Sequence, residues 1–297
     1  MKYIFGPVSS RRFGQSLGID LSPNAKQCNF NCTYCELKAK KPLEAMSEIC
    51  EISPVIDELK TALAKFANVD VITLTANGEP SLHPKFGDLV DEIKALNLPQ
   101  KLLVLSNSSR ISQNYEAFLK CDICKFSLDS VIAETFKKID NPHKSINLDE
   151  IVANLIKFSK EFEGELVIEI LVVAGLNDTV REFEALNLVL EKITPKRIDL
   201  GTIDRPPAFK NAKAVSFEKL KFLSSFIKNQ NINIALKPAY DTAKLDFSEE
   251  EILDMLKRRP QSLDDVRAKF SEFSKSNLQN LLNLQKITLK DGFYKVV

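Results

Sequence analysis

The sequence predicts an α/β protein with a parallel sheet, followed by a small C-terminal helical module. Between about residues 16 and 236, short β-branched runs alternate with amphipathic helical stretches, which is the pattern of βαβ units. The strand-like runs are nearly continuous in apolar residues, as expected for strands covered on both faces. After about residue 244 this alternation of strand-like and helical stretches ends. The 297 residues therefore divide into a core domain at 1–240 and a module at 245–297, and the core sheet is either open or curled into a full or partial barrel.

The individual elements of the core follow from apolar periodicity and end signals. Strands are predicted at 16–21, 69–75, 102–106, 123–128, 166–173, 197–203 and 232–236. The clearest helix starts at Ser53, with Pro54 at its first helical position and apolar residues recurring on one face. Further helices are predicted at 84–95, 148–161, 180–193 and 217–229.

The C-terminal module is predicted to contain three short helices and a terminal hairpin. The helices lie at 249–257, 263–270 and 276–284, and the β-like runs lie at 286–289 and 293–297. Asp291-Gly292 joins these two runs and is a strong turn signal. This order is typical of a winged-helix-like module, which often binds DNA through a basic face. Because the module contains nine Lys or Arg and nine Asp or Glu, nucleic-acid binding is not favoured and a packing or protein-contact role is expected.

Composition and charge exclude several classes of protein. Hydrophobic residues make up 44% and charged residues 27%, as in ordinary globular proteins. The net charge of +1 gives no overall field toward nucleic acid or anionic membrane, so such a partner would need a local patch. No run approaches 18 apolar residues, and the N-terminus stops being apolar too early for a signal peptide. We therefore expect a cytoplasmic protein without a membrane partner, in which cysteines stay reduced.

Three of the six cysteines fall within eight residues. Cys28, Cys32 and Cys35 have the spacing C-x3-C-x2-C, and three thiolates so close together can surround one metal centre. Three ligands complete neither a tetrahedral zinc site nor all four irons of a [4Fe–4S] cube. Either Cys50 supplies a fourth ligand, for zinc or for a closed cluster, or one iron is left open to a small molecule.

The C-x3-C-x-aromatic-C pattern, on the loop after the first predicted strand, resembles the radical S-adenosylmethionine (SAM) superfamily. The resemblance implies a partial (β/α)6-type, TIM-like barrel in which Cys28, Cys32 and Cys35 hold a [4Fe–4S] cluster. It implies that SAM chelates the open iron and that one-electron reduction cleaves SAM to methionine and a 5′-deoxyadenosyl radical, which abstracts hydrogen from a substrate. The implied partners are SAM, an unidentified substrate and an electron donor such as flavodoxin or ferredoxin.

Segments after later strands support the same resemblance. Thr75-Ala76-Asn77-Gly78-Glu79-Pro80 resembles the superfamily's GGEP segment, with Asn77 in place of the first glycine. It implies that Asn77, Gly78 and Glu79 receive the SAM ammonium. Ser106-Asn107-Ser108 stands where relatives have Thr-Asn-Gly, which makes Asn107 a further cofactor contact.

Three more residues are assigned to cofactor binding by resemblance. Lys125-Phe126-Ser127-Leu128-Asp129-Ser130 resembles an S-L-D stretch, which implies Ser127 near the SAM ribose and Asp129 as a loop anchor. Val173-Ala174-Gly175-Leu176-Asn177-Asp178 is similar to a segment whose backbone borders the adenine, so Asn177 is expected there. Tyr34, before the last cysteine of the motif, is expected to cover the cluster and the adenine.

A narrower resemblance rests on the N-terminus. Gly6-Pro7-Val8-Ser9-Ser10-Arg11-Arg12-Phe13-Gly14, together with Asn141-Pro142-His143 and Asp204-Arg205-Pro206-Pro207, resembles iron–sulfur oxidoreductases related to the wybutosine-synthesis enzymes of tRNA. Those tRNA-modifying relatives carry an additional N-terminal cluster or a flavodoxin-like domain. Because this chain has no cysteine before Cys28, tRNA as substrate is an alternative that is not favoured. A non-catalytic metal-binding scaffold, with a C-terminal module that recruits nucleic acid or protein, is the other alternative.

Two residues are candidates for catalysis. His143 is expected at the barrel mouth, where an imidazole could move protons or bind an anion. Arg205, beside two prolines at a strand end, is a candidate for binding substrate or the SAM carboxylate.

For several other polar and sulfur-containing residues, the sequence favours structural roles over chemical ones. Arg11 and Arg12 could clamp a carboxylate or phosphate, but structural pairing is at least as well supported. Cys50, Cys121 and Cys124 are expected to pack as small apolar groups rather than to do redox chemistry, and His83 to lie at a helix start. Lys257-Arg258-Arg259 is most simply a solvated helix end.

Overall fold

The computed structural model describes residues 1–10, 12–228, 231–234, 244–258, 260–290 and 292–297. Its centre is an eight-stranded sheet whose strands follow one another in chain order. They are β1 (Ile4–Ser10), β2 (Gly14–Asp20), β3 (Val71–Thr75), β4 (Lys101–Ser106), β5 (Ile123–Ser127), β6 (Glu165–Val172), β7 (Arg197–Thr202) and β8 (Ile232–Ile234). Strand β1 pairs antiparallel with β2, and each later neighbouring pair is parallel. The predicted parallel α/β core is confirmed.

Helices connect these parallel strands and cover one face of the sheet. They are α1 (Ile52–Lys65), α2 (Phe86–Ala95), α3 (Tyr115–Leu119), α4 (Ala133–Ile139), α5 (Leu148–Glu161), α6 (Val180–Ile193) and α7 (Phe217–Ser224). In α1, Val55, Ile56, Leu59 and Ala62 recur at helical spacing and are all buried. They join a core that contains alternate residues of every parallel strand and the apolar faces of the helices. Burying a leucine such as Leu59 stabilises the fold by about 1.5–3 kcal/mol.

The other face of the sheet is concave. Phe13, in the turn between β1 and β2, packs against inward-facing residues of β3 to β6. The neighbouring Arg12 reaches β7, where its guanidinium lies 3.1 Å from a carboxylate oxygen of the fully buried Asp199. This contact spans the strands between β2 and β7, so the sheet must curl. Among the described strands none joins β8 to β1, and the sheet is therefore the predicted partial, TIM-like barrel.

Polar residues also line the interior of this barrel. The Lys125 ammonium lies 2.5 Å from a Glu169 carboxylate oxygen and 3.5 Å from Asp199. Arg197 pairs with Asp199 at 3.0 Å. Arg12 therefore has the structural pairing that the sequence allowed, whereas Arg11 lies outside the described residues.

The C-terminal module has its own small core. It contains α8 (Glu249–Arg258), β9 (Gln261–Ser262), α9 (Leu263–Lys269), α10 (Glu272–Asn283), β10 (Ile287–Lys290) and β11 (Phe293–Val296). The three strands form a separate sheet in the order β10-β11-β9. Phe247, Ile252, Phe270 and Leu281 are among the residues of its apolar cluster. The expected helices and terminal strands are therefore present, and the winged-helix assignment stays a prediction.

Several element boundaries differ from prediction. Helix α1 begins at Ile52 rather than Ser53. Helix α10 begins at Glu272 because the Ser271 side chain caps it, accepting a hydrogen bond from the Ser274 backbone. Helix α7 ends at Ser224 rather than 229. Strands β1 and β9 and helices α3 and α4 were not predicted.

Some predicted positions lie outside the described residues, namely 229, 235, 236, Arg259 and Asp291 of the hairpin turn. Within the described part of the chain, no helix is long and apolar enough to cross a membrane.

Candidate active site

Cys28, Cys32 and Cys35 lie in an irregular segment after β2, which we call the cysteine loop (residues 25–35). Local hydrogen bonds shape this loop. The Phe30 backbone N–H donates to the Cys28 sulfur at 3.4 Å, and the Cys35 N–H donates to the Cys32 carbonyl at 3.1 Å. The Lys26 ammonium lies 3.5 Å from the Cys35 sulfur. Donors therefore already point at two of the three sulfurs.

Burial favours the protonated form of two thiols in this loop, those of Cys28 and Cys32. Burial, and next the carboxylate of Glu79, raise the pKa of Cys28 to about 12. Burial also raises the pKa of Cys32 well above its ordinary value, with further contributions from Asp140 and from Cys28 and Cys35. A bound metal centre would supply the positive charge that converts such thiols to thiolates.

Cys50 does not join this group. Its sulfur lies 3.5 Å from Nε2 of His83 and 3.7 Å from the Leu21 carbonyl oxygen. Cys121 and Cys124 are buried, and each sulfur contacts a backbone carbonyl of the α3 segment at 3.5 Å. The predicted packing role of Cys121 and Cys124 agrees with these contacts, and the buried His83 fills space beside Cys50.

Gly78 joins the cysteine loop to the segment after β3. The Gln27 N–H donates to the Asn77 carbonyl at 2.7 Å, and the Glu79 N–H donates to the Gln27 carbonyl at 2.9 Å. Gly78 has φ +140°, and a Cβ placed there would lie 1.9 Å from the Gln27 carbonyl oxygen. Only glycine allows this backbone conformation and this close approach.

The side chains on either side of Gly78 are held by the protein. The Asn77 amide donates to Asp20 at 3.0 Å. Glu79 is 1% exposed, and its carboxylate accepts hydrogen bonds from Ser81 and from the Asn107 N–H at 2.6 Å. Burial raises the pKa of Glu79 above its ordinary value, although these donors act in the opposite direction. The carboxylate thus links the segment after β3 to the segment after β4.

Asn107 connects that second segment to the cysteine loop. Its amide nitrogen lies 2.8 Å from the side-chain oxygen of the buried Asn29 and 3.8 Å from the Cys28 sulfur. Asn29 was not singled out in the sequence, because a polar residue between two cysteines carries no distinguishing signal. Ser127, at the end of β5, accepts through its backbone carbonyl a hydrogen bond from the Ser108 hydroxyl at 2.7 Å.

Tyr34 makes a short hydrogen bond to a buried carboxyl group. Its hydroxyl donates to Asp129 Oδ2 at 2.5 Å, while the other oxygen of Asp129 accepts from the Leu171 N–H at 2.7 Å. Burial raises the pKa of Asp129 to about 6. Burial, and next the charge of Asp129, raise the pKa of Asp140 well above its ordinary value. Asp129 is thus the loop anchor that the sequence indicated, whereas Asp140 was not foreseen.

Asn177 is fully buried and its amide is occupied. It donates to the backbone carbonyls of Asp129 and Leu171, at 2.9 and 3.0 Å, and accepts from Val173 at 2.8 Å. The side chain therefore shapes the end of β6, and any contact with a cofactor would come from the neighbouring backbone.

The two candidates for catalysis occupy different surroundings. The backbone N–H of His143 donates to the Asn29 carbonyl at 2.7 Å, so this residue borders the cysteine loop. Its ring nitrogen Nδ1 lies 2.8 Å from the Ser145 hydroxyl. Arg205 has a side chain 9% exposed and contacts Asp265 at 3.3 Å, Glu36 at 3.6 Å and the Pro260 carbonyl. Those contacts join the loop after β7 to the C-terminal module, so a role in binding substrate stays a prediction.

Comparison with known proteins places the chain in a family. The Radical SAM superfamily profile matches residues 25–186, which include the cysteine loop and strands β3 to β6. The chain belongs to the radical SAM superfamily. Members of this superfamily use a [4Fe–4S] cluster and SAM, so the predicted cofactors are confirmed, and the match supports an enzyme of the radical SAM class.

Individual proteins are similar to this chain in sequence or in fold. The chain is 38% identical over 291 residues to a UPF0026 protein of Helicobacter pylori, covering 97% of this chain and 94% of the relative. A structure of TYW1 with a lysine–pyruvate adduct has a TM-score of 0.54 at 18% identity and covers 73% of this chain and 74% of its own. Streptococcus suis SuiB bound to SAM has a TM-score of 0.56 at 15% identity, covering 77% and 53%. Both structures are similar to this chain in fold.

The residues present fit a [4Fe–4S] cluster. Its donor set is three cysteine sulfurs on one loop, and cysteine thiolates are the ligands that such clusters take. The N–H donors near the sulfurs of Cys28 and Cys35 are of the kind that stabilise thiolate ligands.

Proposed function

We propose that this protein is a radical SAM enzyme that reductively cleaves SAM and abstracts hydrogen from a substrate. Cys28, Cys32 and Cys35 would hold the cluster, leaving one iron open to SAM. The observation that carries this proposal is the direct attachment of the cysteine loop to the Asn77–Glu79 segment through Gln27 and Gly78. When bound, the cluster supplies one electron to the sulfonium of SAM, which then yields methionine and a 5′-deoxyadenosyl radical.

The residues around the cysteine loop would bind and orient SAM. The segment Asn77–Glu79 borders the loop; Asp20 holds the Asn77 backbone and Asn107 holds the Glu79 carboxylate, so the segment would be preorganised to receive the SAM ammonium. Ser127 would contact the ribose from the end of β5. The backbone that the Asn177 amide holds in place would border the adenine.

The chain would also protect the reaction from water. Tyr34 is held in place by its hydrogen bond to Asp129; Asp129 is buried and Tyr34 is half-buried. The protein supplies donors to the sulfurs from Phe30 and Lys26 rather than leaving them to solvent. Exclusion of water limits side reactions of a radical.

Anaerobic reconstitution tests the proposal. Protein treated with iron and sulfide should bind about four of each, and its reduced EPR signal should shift when SAM is added. With dithionite, it should release 5′-deoxyadenosine. Cys28→Ala, Cys32→Ala or Cys35→Ala should abolish the cluster, whereas Cys121→Ala and Cys50→Ala should retain it. Stoichiometric zinc without a response to SAM would contradict the proposal.

A further inference from the structure

The inner face of the barrel is filled at one end and open at the other. Phe13 lies where the parallel strands begin and packs against inward-facing apolar residues of β3 to β6. Toward the carboxyl ends of the strands there is free space, because a Cβ added at Gly201 of β7 would meet no atom within 4 Å. The cysteine loop and the Asn77–Glu79 segment leave the sheet at these same carboxyl ends. The interior therefore opens toward the proposed cofactor site.

Charged side chains form a layer on this inner face, which we call the charged layer. It contains Arg12, Lys125, Glu169 and Asp199, so its formal charges balance. The Lys125 ammonium lies between the two carboxylates, at 2.5 Å from Glu169 and 3.5 Å from Asp199. The guanidinium of Arg12 lies 3.1 Å from Asp199. Both cations of the layer are therefore directed at its carboxylates.

Glu169 is the member of the charged layer that a ligand can reach. Its side chain is 37% exposed, whereas those of Arg12, Lys125 and Asp199 are 13%, 10% and 0% exposed. Its Oε1 atom faces the two cations, and its Oε2 atom makes no hydrogen bond or ion pair with the described residues. A carboxylate oxygen accepts hydrogen bonds and cannot donate them, and it binds charged N–H donors most strongly.

The surroundings of Glu169 toward the open end carry no charge. Ser127 is its partner on β5, Leu171 is the next inward-facing residue of β6, and Gly201 pairs with Leu171. Neighbouring strands lie about 4.8 Å apart, so a group bound to Glu169 would lie beside Ser127, the proposed ribose contact. The charge that a ligand meets at this position is therefore negative.

We propose that the substrate carries a positively charged nitrogen with N–H donors, an ammonium or guanidinium group, and that Glu169 binds this group. This inference rests on the proposed function, because it assumes SAM at the carboxyl ends of the strands. Lys125 would hold Glu169 through one oxygen and leave the other oxygen to the substrate. An anionic group would be repelled here, and an apolar group would bury the free carboxylate oxygen without a hydrogen bond.

Four small probes with the same alkyl chain test this assignment on the full-length protein. They are n-butylammonium, n-butylguanidinium, n-butanol and butyrate. Saturation-transfer NMR gives the dissociation constant of each probe, first with the protein as purified and again after reconstitution in the presence of SAM. We expect both cations to bind at least about tenfold more tightly than the alcohol and the carboxylate, which is the effect of one charge-assisted hydrogen bond.

Two variants and a matched control locate the binding site. Glu169→Gln should weaken binding of the cations by about tenfold or more, and it should fold because Lys125 keeps Asp199 beside it. Gly201→Val fills the free space without changing any charge and should also weaken binding of the cations. Glu163→Gln removes the same charge from an exposed position just before β6 and should match the unmodified protein. Thermal unfolding shows whether each variant is folded.

Several results would overturn the assignment of Glu169. They are cations that bind no more tightly than butanol, a loss in Glu163→Gln as large as that in Glu169→Gln, and unchanged affinities in Glu169→Gln. If Glu169→Gln does not fold, unchanged affinities in Gly201→Val have the same meaning. Equilibrium dialysis with SAM tests the other cation that could bind here, since an equal loss of SAM affinity in Glu169→Gln would assign this carboxylate to the cofactor. If no cluster assembles, the proposed function fails, whereas the probes still measure whether Glu169 binds a cation.

Discussion

Gly78 approaches Gln27 so closely that a single methyl group at position 78 would overlap the Gln27 carbonyl oxygen, at 1.9 Å. Hydrogen bonds from the flanking residues fix both segments in this position. The spacing between the cysteine loop and the segment after β3 is therefore set by backbone atoms, and glycine is required there.

Gly78→Ala should separate these two segments. The positive φ adds strain of about 1–3 kcal/mol, and the clash prevents the Gln27 hydrogen bonds from forming. We expect reconstituted iron to fall severalfold and SAM binding to be lost, as measured by iron analysis and equilibrium dialysis. Gly87→Ala is the matched control, since its added Cβ meets nothing nearer than 3.9 Å in α2. Equal iron content in the two variants would contradict the prediction.

Glu79→Ala should weaken SAM binding by roughly ten- to a hundredfold, equivalent to the roughly 1.5–3 kcal/mol of a charge-assisted hydrogen bond. Part of this loss would arise because the Asn107 N–H and Ser81 lose their acceptor. The cluster itself should survive. Glu79→Gln keeps an acceptor and should lose less. Unchanged SAM affinity in Glu79→Ala would show that the segment has another function.

The stability of the cluster-free protein should fall as pH rises through about 6. Burial raises the pKa of Asp129 to about 6 from its ordinary 3.8. The folded state therefore holds this proton more tightly than the unfolded state does. The stabilisation that the protonated Asp129 carboxyl gives is complete below about pH 4 and is lost as the pH rises through the raised pKa.

Urea unfolding at several pH values between about 4 and 7.5, which brackets both pKa values, measures this dependence. Asp129→Asn should flatten the profile, since the amide does not titrate. Asp149→Asn, at the exposed start of α5, should leave the profile as it is. A profile that keeps its slope in Asp129→Asn would assign the dependence to another group.

Arg205 and Asp265 should behave as a coupled pair. Both are largely buried, at 9% and 2% side-chain exposure, and their atoms lie 3.3 Å apart. Removing one member of a buried pair leaves the other charge uncompensated, at a cost of about 3–5 kcal/mol. Arg205→Met and Asp265→Asn should each lower the free energy of unfolding, and the double variant should lose less than the sum.

Limited proteolysis gives a second readout for this pair. Either single variant should release a C-terminal fragment faster than the unmodified protein, because Arg205 joins the loop after β7 to α9. Lys275→Met breaks an exposed ion pair with Glu272 in the same module and is the control. Additive effects of the two substitutions would contradict the coupling.

The fold could be predicted where local signals and tertiary packing agree. Helices α5 and α6 have the expected bounds because Asn147 and Thr179 cap them through side-chain hydrogen bonds. Strand β1 was missed because Gly6 and Pro7 oppose strand formation, and the structure accommodates them with an irregular register against β2. Helices α3 and α4 are too short to give a clear period.

The site was less predictable than the fold. Cysteine spacing indicates a metal centre, because that pattern has chemical meaning within a few residues. Asp140 has no such motif, since backbone contacts from Asn31 bring it beside the loop from more than a hundred residues away. Asn177 and Arg205 have side chains suited to ligand binding, yet the structure gives both of them protein partners.

The attachments of the cysteine loop also bear on the order in which the protein matures. Its hydrogen-bonding partners come from Glu79, Asn107, His143 and Ala208, in successive parts of the chain. During synthesis the three cysteines leave the ribosome long before the last of these partners exists. The ligand geometry therefore arises only after nearly the whole core domain has been made. Under the proposed function, iron and sulfide would therefore reach these cysteines after the core domain has folded, and the thiols of a nascent chain would be exposed to oxidation until then.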